Sequence, residues 1–193
     1  MPEHRRRLPH IYPENTPLFL TWHLQGSLPA FLTPPAKLTS GQAFVWFDRQ
    51  MDRAQRGPRH LLRSDIARIV VDSIHKGVEL GHYDLGAYIV MPNHVHLLIQ
   101  PKIPPERLMR SLKGATAREA NRLLERTGTP FWQKESYDHW VRNADEFRRI
   151  RAYIENNPVT AGLVREPQDY PWSSAGVEMS LDAARKSACA TFS

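Results

Sequence analysis

The stretch that most constrains this chain is YDLGAYIVMPNHVHLLIQP, residues 83–101. Two runs rich in β-branched and aromatic residues flank Pro92-Asn93, a pair that favours a turn, so the spacing predicts a β-hairpin. Side chains alternate along a strand, which sends His94 and His96 to one face and Val95, Leu97 and Ile99 to the other. Two imidazoles about 7 Å apart along a strand can close on one divalent ion. They can equally be core histidines satisfied by hydrogen bonds, and the spacing alone leaves both readings open.

The flanking segments extend the hairpin into a sheet with helices. LFLTWHLQG, residues 18–26, reads as a strand ended by Gly26. SDIARIVVDSIHKGVEL reads as a helix, with Ser64 as N-cap and Ile66, Ile69, Val70, Ile74 and Val78 recurring at helical spacing. PERLMRSLKGATAREANRLLER is the next helix, with Leu108, Leu112, Ala115 and Leu123 inward. ESYDHWVR is a short strand, and ADEFRRIRAYIENNP is a last helix stopped by Pro158. The order β-α-β-β-α-β predicts an α+β fold, a ferredoxin-like antiparallel sheet with two helices on one face and an additional C-terminal helix.

Residues 1–175 are expected to form a single domain, with residues 27–58 as an insertion-like connection and residues 176–193 as a flexible tail. Within that connection QAFVWFDRQMDRA is compatible with a short helix; PQDYPWSS, after the last helix, has no periodic pattern. No apolar run reaches membrane-spanning length, and the basic, Pro-broken N-terminus is not a signal peptide. The one cysteine, Cys189, excludes a disulfide framework, so the cytoplasm is the expected compartment. A net charge of +6 leans toward a polyanionic partner without proving one.

The last helix adds chemistry to the histidine pair. At 100° per residue Phe147, Ile150 and Ile154 form its apolar stripe, and Tyr153 and Asn157 lie together along one border. Each has an ordinary structural role available, packing for the tyrosine and helix termination for the asparagine. Together they offer a hydroxyl nucleophile and an oxygen ligand one turn apart. A tyrosine, with an ordinary pKa near 10, attacks phosphorus only where charge on the phosphate is neutralised. Two imidazoles and an amide oxygen, with phosphate oxygens completing the shell, suit Mg²⁺ or Mn²⁺.

In AYIVMPNHVHLLIQP and FWQKESYDHWVRNADEFRRIRAYIENNPVTAGLV the chain resembles the REP-associated tyrosine transposases, which pair a His-hydrophobic-His motif with a downstream Tyr-Ile-x-x-Asn-Pro segment. The resemblance runs from about Leu18 to the PWSS at 171–174. It implies His94, His96 and Asn157 as metal ligands, Tyr153 as nucleophile, and Mg²⁺ or Mn²⁺ as cofactor. It further implies a single-stranded DNA endonuclease and strand transferase that cuts and rejoins near hairpin repeats through a 5′-phosphotyrosine, acting as a monomer.

Tyr137 is the competing tyrosine, and His139 is an accessory candidate. Basic residues expected to meet DNA phosphates are Arg149, one turn before Tyr153, and Arg110 and Lys113 on the preceding helix; Arg5 to Arg7 and the basic stretch 53–63 are further candidates. Trp22, Trp46 and Trp132 could stack on bases, although core packing suits at least two of them. Two other readings remain: a non-catalytic binder of repeat hairpins, and another metal-dependent hydrolase with water as nucleophile.

Overall fold

The computed structural model describes residues 16–28, 35, 37, 40–53 and 57–176. Arg5 to Arg7 and all but the first residue of the expected tail lie outside these residues. The strands are β1 (Leu18–His23), β2 (Tyr83–Val90), β3 (His94–Pro101) and β4 (Tyr137–Trp140), and the helices are α1 (Ser40–Arg53), α2 (Ser64–Glu79), α3 (Pro105–Leu123) and α4 (Ala144–Thr160). The strands form one antiparallel sheet in the order β2-β3-β1-β4, as the ferredoxin-like plan requires.

The central strands β1 and β3 are buried on both faces because both faces are covered. One face packs Leu18, Leu20, Trp22, Val95, Leu97 and Ile99 against α2 and α3. The other packs Phe19, Ala87, Ile89 and Leu98 against Ile154 of α4, with Phe147 and Ile150 at the margin. His94 and His96 alternate with Val95 and Leu97, so they point to the α4 side.

That side is opened for α4 by a bulge between Leu85 and Ala87, which moves Ala87 and Ile89 onto the α4 face. A Cβ at Gly86 would lie 2.9 Å from Phe147 Cζ and 3.0 Å from the Leu98 carbonyl oxygen. Glycine at 86 is what lets α4 seat. The free edge of β2 is covered by PWSS: Val90 N–H donates to Trp172 O at 2.8 Å and Ser174 N–H to Tyr88 O at 3.0 Å. This pairing removes an exposed ladder.

Several local expectations change. The first helical residue of α2 is Ser64, so Arg63 holds the N-cap position, and Asp65 accepts the Ile66 N–H. Val78 and Ala115 face solvent; Met109, Thr116 and Ala120 line the buried face of α3 instead. Pro158 does not stop α4, which runs to Thr160 with Pro158 buried in its last turn. A proline there removes one backbone bond, and burial of its ring accompanies the loss. Trp22 and Trp132 are core residues in edge-to-face contact at 6.1 Å, while Trp46 is half-buried on α1.

Candidate active site

His94 and His96 are each held from behind by a hydrogen bond to Nδ1. Asn93, in the hairpin turn, donates through Nδ2 to the Met51 carbonyl of α1 at 2.9 Å, so its Oδ1 is the acceptor that faces His94 Nδ1 at 2.7 Å. Thr21, paired with His96 across the sheet, places Oγ1 2.8 Å from His96 Nδ1. At His94 the Asn93 acceptor calls for the proton on Nδ1, which makes Nε2 the lone-pair nitrogen, the form that ligates a metal. Burial, with His96 and His23 adding to it, lowers His94 to about 3 against the pull of Asp48, so the ring is neutral at pH 7.

The two Nε2 atoms lie 3.1 Å apart. Between them and α4 sits Asp48 of α1, only 1% exposed. Its Oδ1 is 3.1 Å from His96 Nε2 and 3.4 Å from His94 Nε2. Burial raises the Asp48 carboxyl, but the facing imidazoles of His96 and His94 and a hydrogen bond from Asn157 outweigh this and hold it below the ordinary value. Asp48 Oδ1 and Asn157 Oδ1 are both buried without a hydrogen-bond partner among the described residues.

This donor set fits a divalent cation. Asp48, His94 and His96 present three ligand atoms within 4.8 Å of one another. Lone pairs crowded together at such distances repel unless a proton or a cation lies among them. Asn157 stands beside them, its Nδ2 3.2 Å from Asp48 Oδ2 and 3.3 Å from His96 Nε2. Turning that amide by 180° would present Oδ1 to the same space.

Tyr153 is half-buried on the same side of α4, its ring centroid 5.9 Å from that of His96. Its hydroxyl donates to Asp48 Oδ2. The four residues singled out in the sequence, His94, His96, Tyr153 and Asn157, therefore meet in one place within one chain. Asp48 was missed. It lies in the 27–58 stretch read as an insertion, and a single acid within FVWFDRQM has no spacing relation to the histidines that could reveal it.

The other expected residues fall elsewhere. Tyr137 shares the α4 face but packs edge-on against Phe19 at 6.2 Å. His139 bonds Glu146 at 3.0 Å. Arg149 is exposed and has no ion pair among the described residues, whereas Arg148 pairs with Asp145 and Arg151 with Glu155. Arg110 and Lys113 are on α3, across the sheet from Tyr153. Arg110 is exposed there, and Lys113 is half-buried, donating to the carbonyls of Gln133 at 2.7 Å and Lys134 at 3.0 Å.

The chain belongs to the IS200-like transposase family, whose model matches residues 56–157. Among solved structures it is similar to a REP-associated tyrosine transposase bound to a REP hairpin, with TM-score 0.57 and 19% identity over 91% of this chain and 83% of that one. A suspected transposase from Deinococcus radiodurans R1 aligns with TM-score 0.40 and 18% identity, over 79% of this chain and 97% of that one. No curated protein matches the sequence. The matched family segment holds both histidines, Tyr153 and Asn157, and begins after Asp48.

Proposed function

We propose that this protein is a metal-dependent endonuclease and strand transferase for single-stranded DNA, of the REP-associated type, which cuts and rejoins near hairpin repeats. The observation that carries the reading is the Tyr153 hydroxyl set against a buried Asp48–His94–His96 cage in the same chain. His94, His96, Asp48 and Asn157 would hold Mg²⁺ or Mn²⁺. Held there, such an ion would supply charge neutralisation at the scissile phosphate.

Tyr153 Oη gives up its proton and attacks phosphorus, the Oη–P bond forms and the P–O3′ bond breaks, the proton lost by the phenol balancing the one the 3′ oxygen gains. The products are a 5′-phosphotyrosine and a 3′ oxygen that takes a proton to become a hydroxyl. The energy of the broken ester is retained in the new one, so rejoining requires no nucleotide cofactor. One chain supplies every group, which supports action as a monomer. Arg149 is the phosphate contact nearest the nucleophile, one turn along α4, and His139 orients α4 through Glu146. Residues 1–175 act as one domain, in the cytoplasm.

The test is incubation of single-stranded hairpin DNA with Mn²⁺, followed by denaturing gels for wild type, Tyr153→Phe and His96→Ala. A protein–DNA adduct in wild type alone is the expected result. An adduct that survives Tyr153→Phe would move the role to Tyr137, and hairpin binding without any adduct would leave a binder rather than an enzyme.

A further inference from the structure

Asp48 faces two ways. Oδ1 looks into the histidine cage, 3.1 and 3.4 Å from the two Nε2 atoms, and Oδ2 accepts the Tyr153 hydroxyl and the Asn157 amide. A packing role does not account for it. The hydrogen bond from Asn93 to the Met51 carbonyl already docks this part of α1, and burying a carboxylate costs solvation that a packing role by itself does not return. A carboxylate here makes sense when one oxygen serves a cation and the other serves the hydroxyl.

We infer that Asp48 is a positioning residue that couples cation occupancy of the cage to the orientation of the Tyr153 hydroxyl. The coupling is reciprocal: whatever draws Asp48 toward an ion changes the acceptor seen by Tyr153, and a Tyr153 withdrawn from Asp48 changes the ion's ligand. The residue comes from α1, outside the family-matched segment 56–157. The inference rests on the reading of the cage as a metal site.

The experiment uses the full chain without DNA. Protein carrying 3-fluorotyrosine is titrated with Mg²⁺ and followed by fluorine NMR, the Tyr153 resonance being the one that disappears in Tyr153→Phe. Mn²⁺ binding to unlabelled protein is measured by electron paramagnetic resonance. The Tyr153 resonance is expected to shift with Mg²⁺ in wild type and to stay still in Asp48→Asn, whose Mn²⁺ affinity falls by about tenfold or more.

Asp48→Glu, which keeps the charge one methylene further out, is expected to regain Mn²⁺ binding, as a residue needed only for packing would not. It also carries the test should Asp48→Asn fail to fold. The inference is overturned if the wild-type resonance ignores Mg²⁺ while Mn²⁺ binds, or if Asp48→Asn responds and binds like wild type. It is equally overturned if Asp48→Asn binds weakly yet its tyrosine still shifts. A wild type that couples Mg²⁺ to Tyr153 but forms no DNA adduct would keep this inference and reject the strand-transfer reading.

Discussion

At the scale of the residue, Asn93 performs two tasks with one carboxamide. Its oxygen sets the tautomer of His94 and its nitrogen ties α1 to the hairpin turn, three residues beyond Asp48. Replacing it by alanine leaves the buried His94 Nδ1 and the Met51 carbonyl without these partners. Asn93→Ala is expected to cost about 1–3 kcal/mol of stability in urea unfolding. Its Mn²⁺ affinity should fall by about 10–100-fold, because an outer partner orients the ligand. Thr21→Val, which keeps shape but drops the hydroxyl facing His96, should weaken Mn²⁺ in the same direction while leaving the sheet intact. Equal Mn²⁺ binding in both variants would remove the outer partners from the account of the cage.

At the scale of the element, α4 is placed by its two ends and by a gap in the sheet. Asn143 caps it by accepting the Glu146 N–H at 2.9 Å, and Glu146 returns to accept the Arg142 N–H at 2.7 Å and His139 at 3.0 Å. Burial raises the Glu146 carboxyl, but the hydrogen bonds from Arg142 and His139 and the charge of these neighbours together outweigh it, so its folded value lies below the ordinary 4.5. A depressed carboxylate contributes stability above its unfolded pKa and loses it as pH falls through the folded one. The thermal midpoint should therefore drop below pH 4.5, and Glu146→Gln should make that drop shallower.

Beneath the first turn of the helix, Gly86→Ala on β2 would drive a methyl into Phe147 and the Leu98 carbonyl. The expected cost is about 1–3 kcal/mol, with a loss of adduct yield larger than the loss of folded protein because Tyr153 rides on the displaced helix. An adduct yield that merely tracks the folded fraction would show that α4 tolerates the shift.

At the scale of the whole molecule, the sheet separates two chemistries. α2 and α3 close the core on one face, and α4 with α1 builds the cage on the other. DNA reaching Tyr153 meets the α4 face, where Arg149 is exposed. Removing one side chain that neutralises a phosphate lowers the slope of log affinity against log salt by about one. Arg149→Ala is expected to lower the slope by that amount on a hairpin with a single-stranded flank. Arg110→Ala, on the far side of the sheet, should leave it unchanged; a drop there would mean that the hairpin stem wraps around to α3. Lys113 is already committed to loop carbonyls, and its removal should act on stability before it acts on binding.

The sequence by itself determined the succession of strands and helices along the chain, the hairpin and the meeting of His94 and His96 on one face, because these follow from periods of two and of 3.6 residues and from a turn pair. It also determined that Tyr153 and Asn157 share a helix border, since residues four apart on a helix lie together. Only the tertiary structure decided which acid completes the cage. Asp48 reaches it from a helix 46 positions upstream of His94 in the chain, and no local period relates the two. The same holds for Gly86, whose need is visible only once Phe147 lies against it, and for Arg110, whose separation from the site depends on which face of the sheet each helix covers. Contacts between elements far apart in sequence are set by the packing of whole faces, and that packing is what brings a carboxylate, two imidazoles and a phenol to one place.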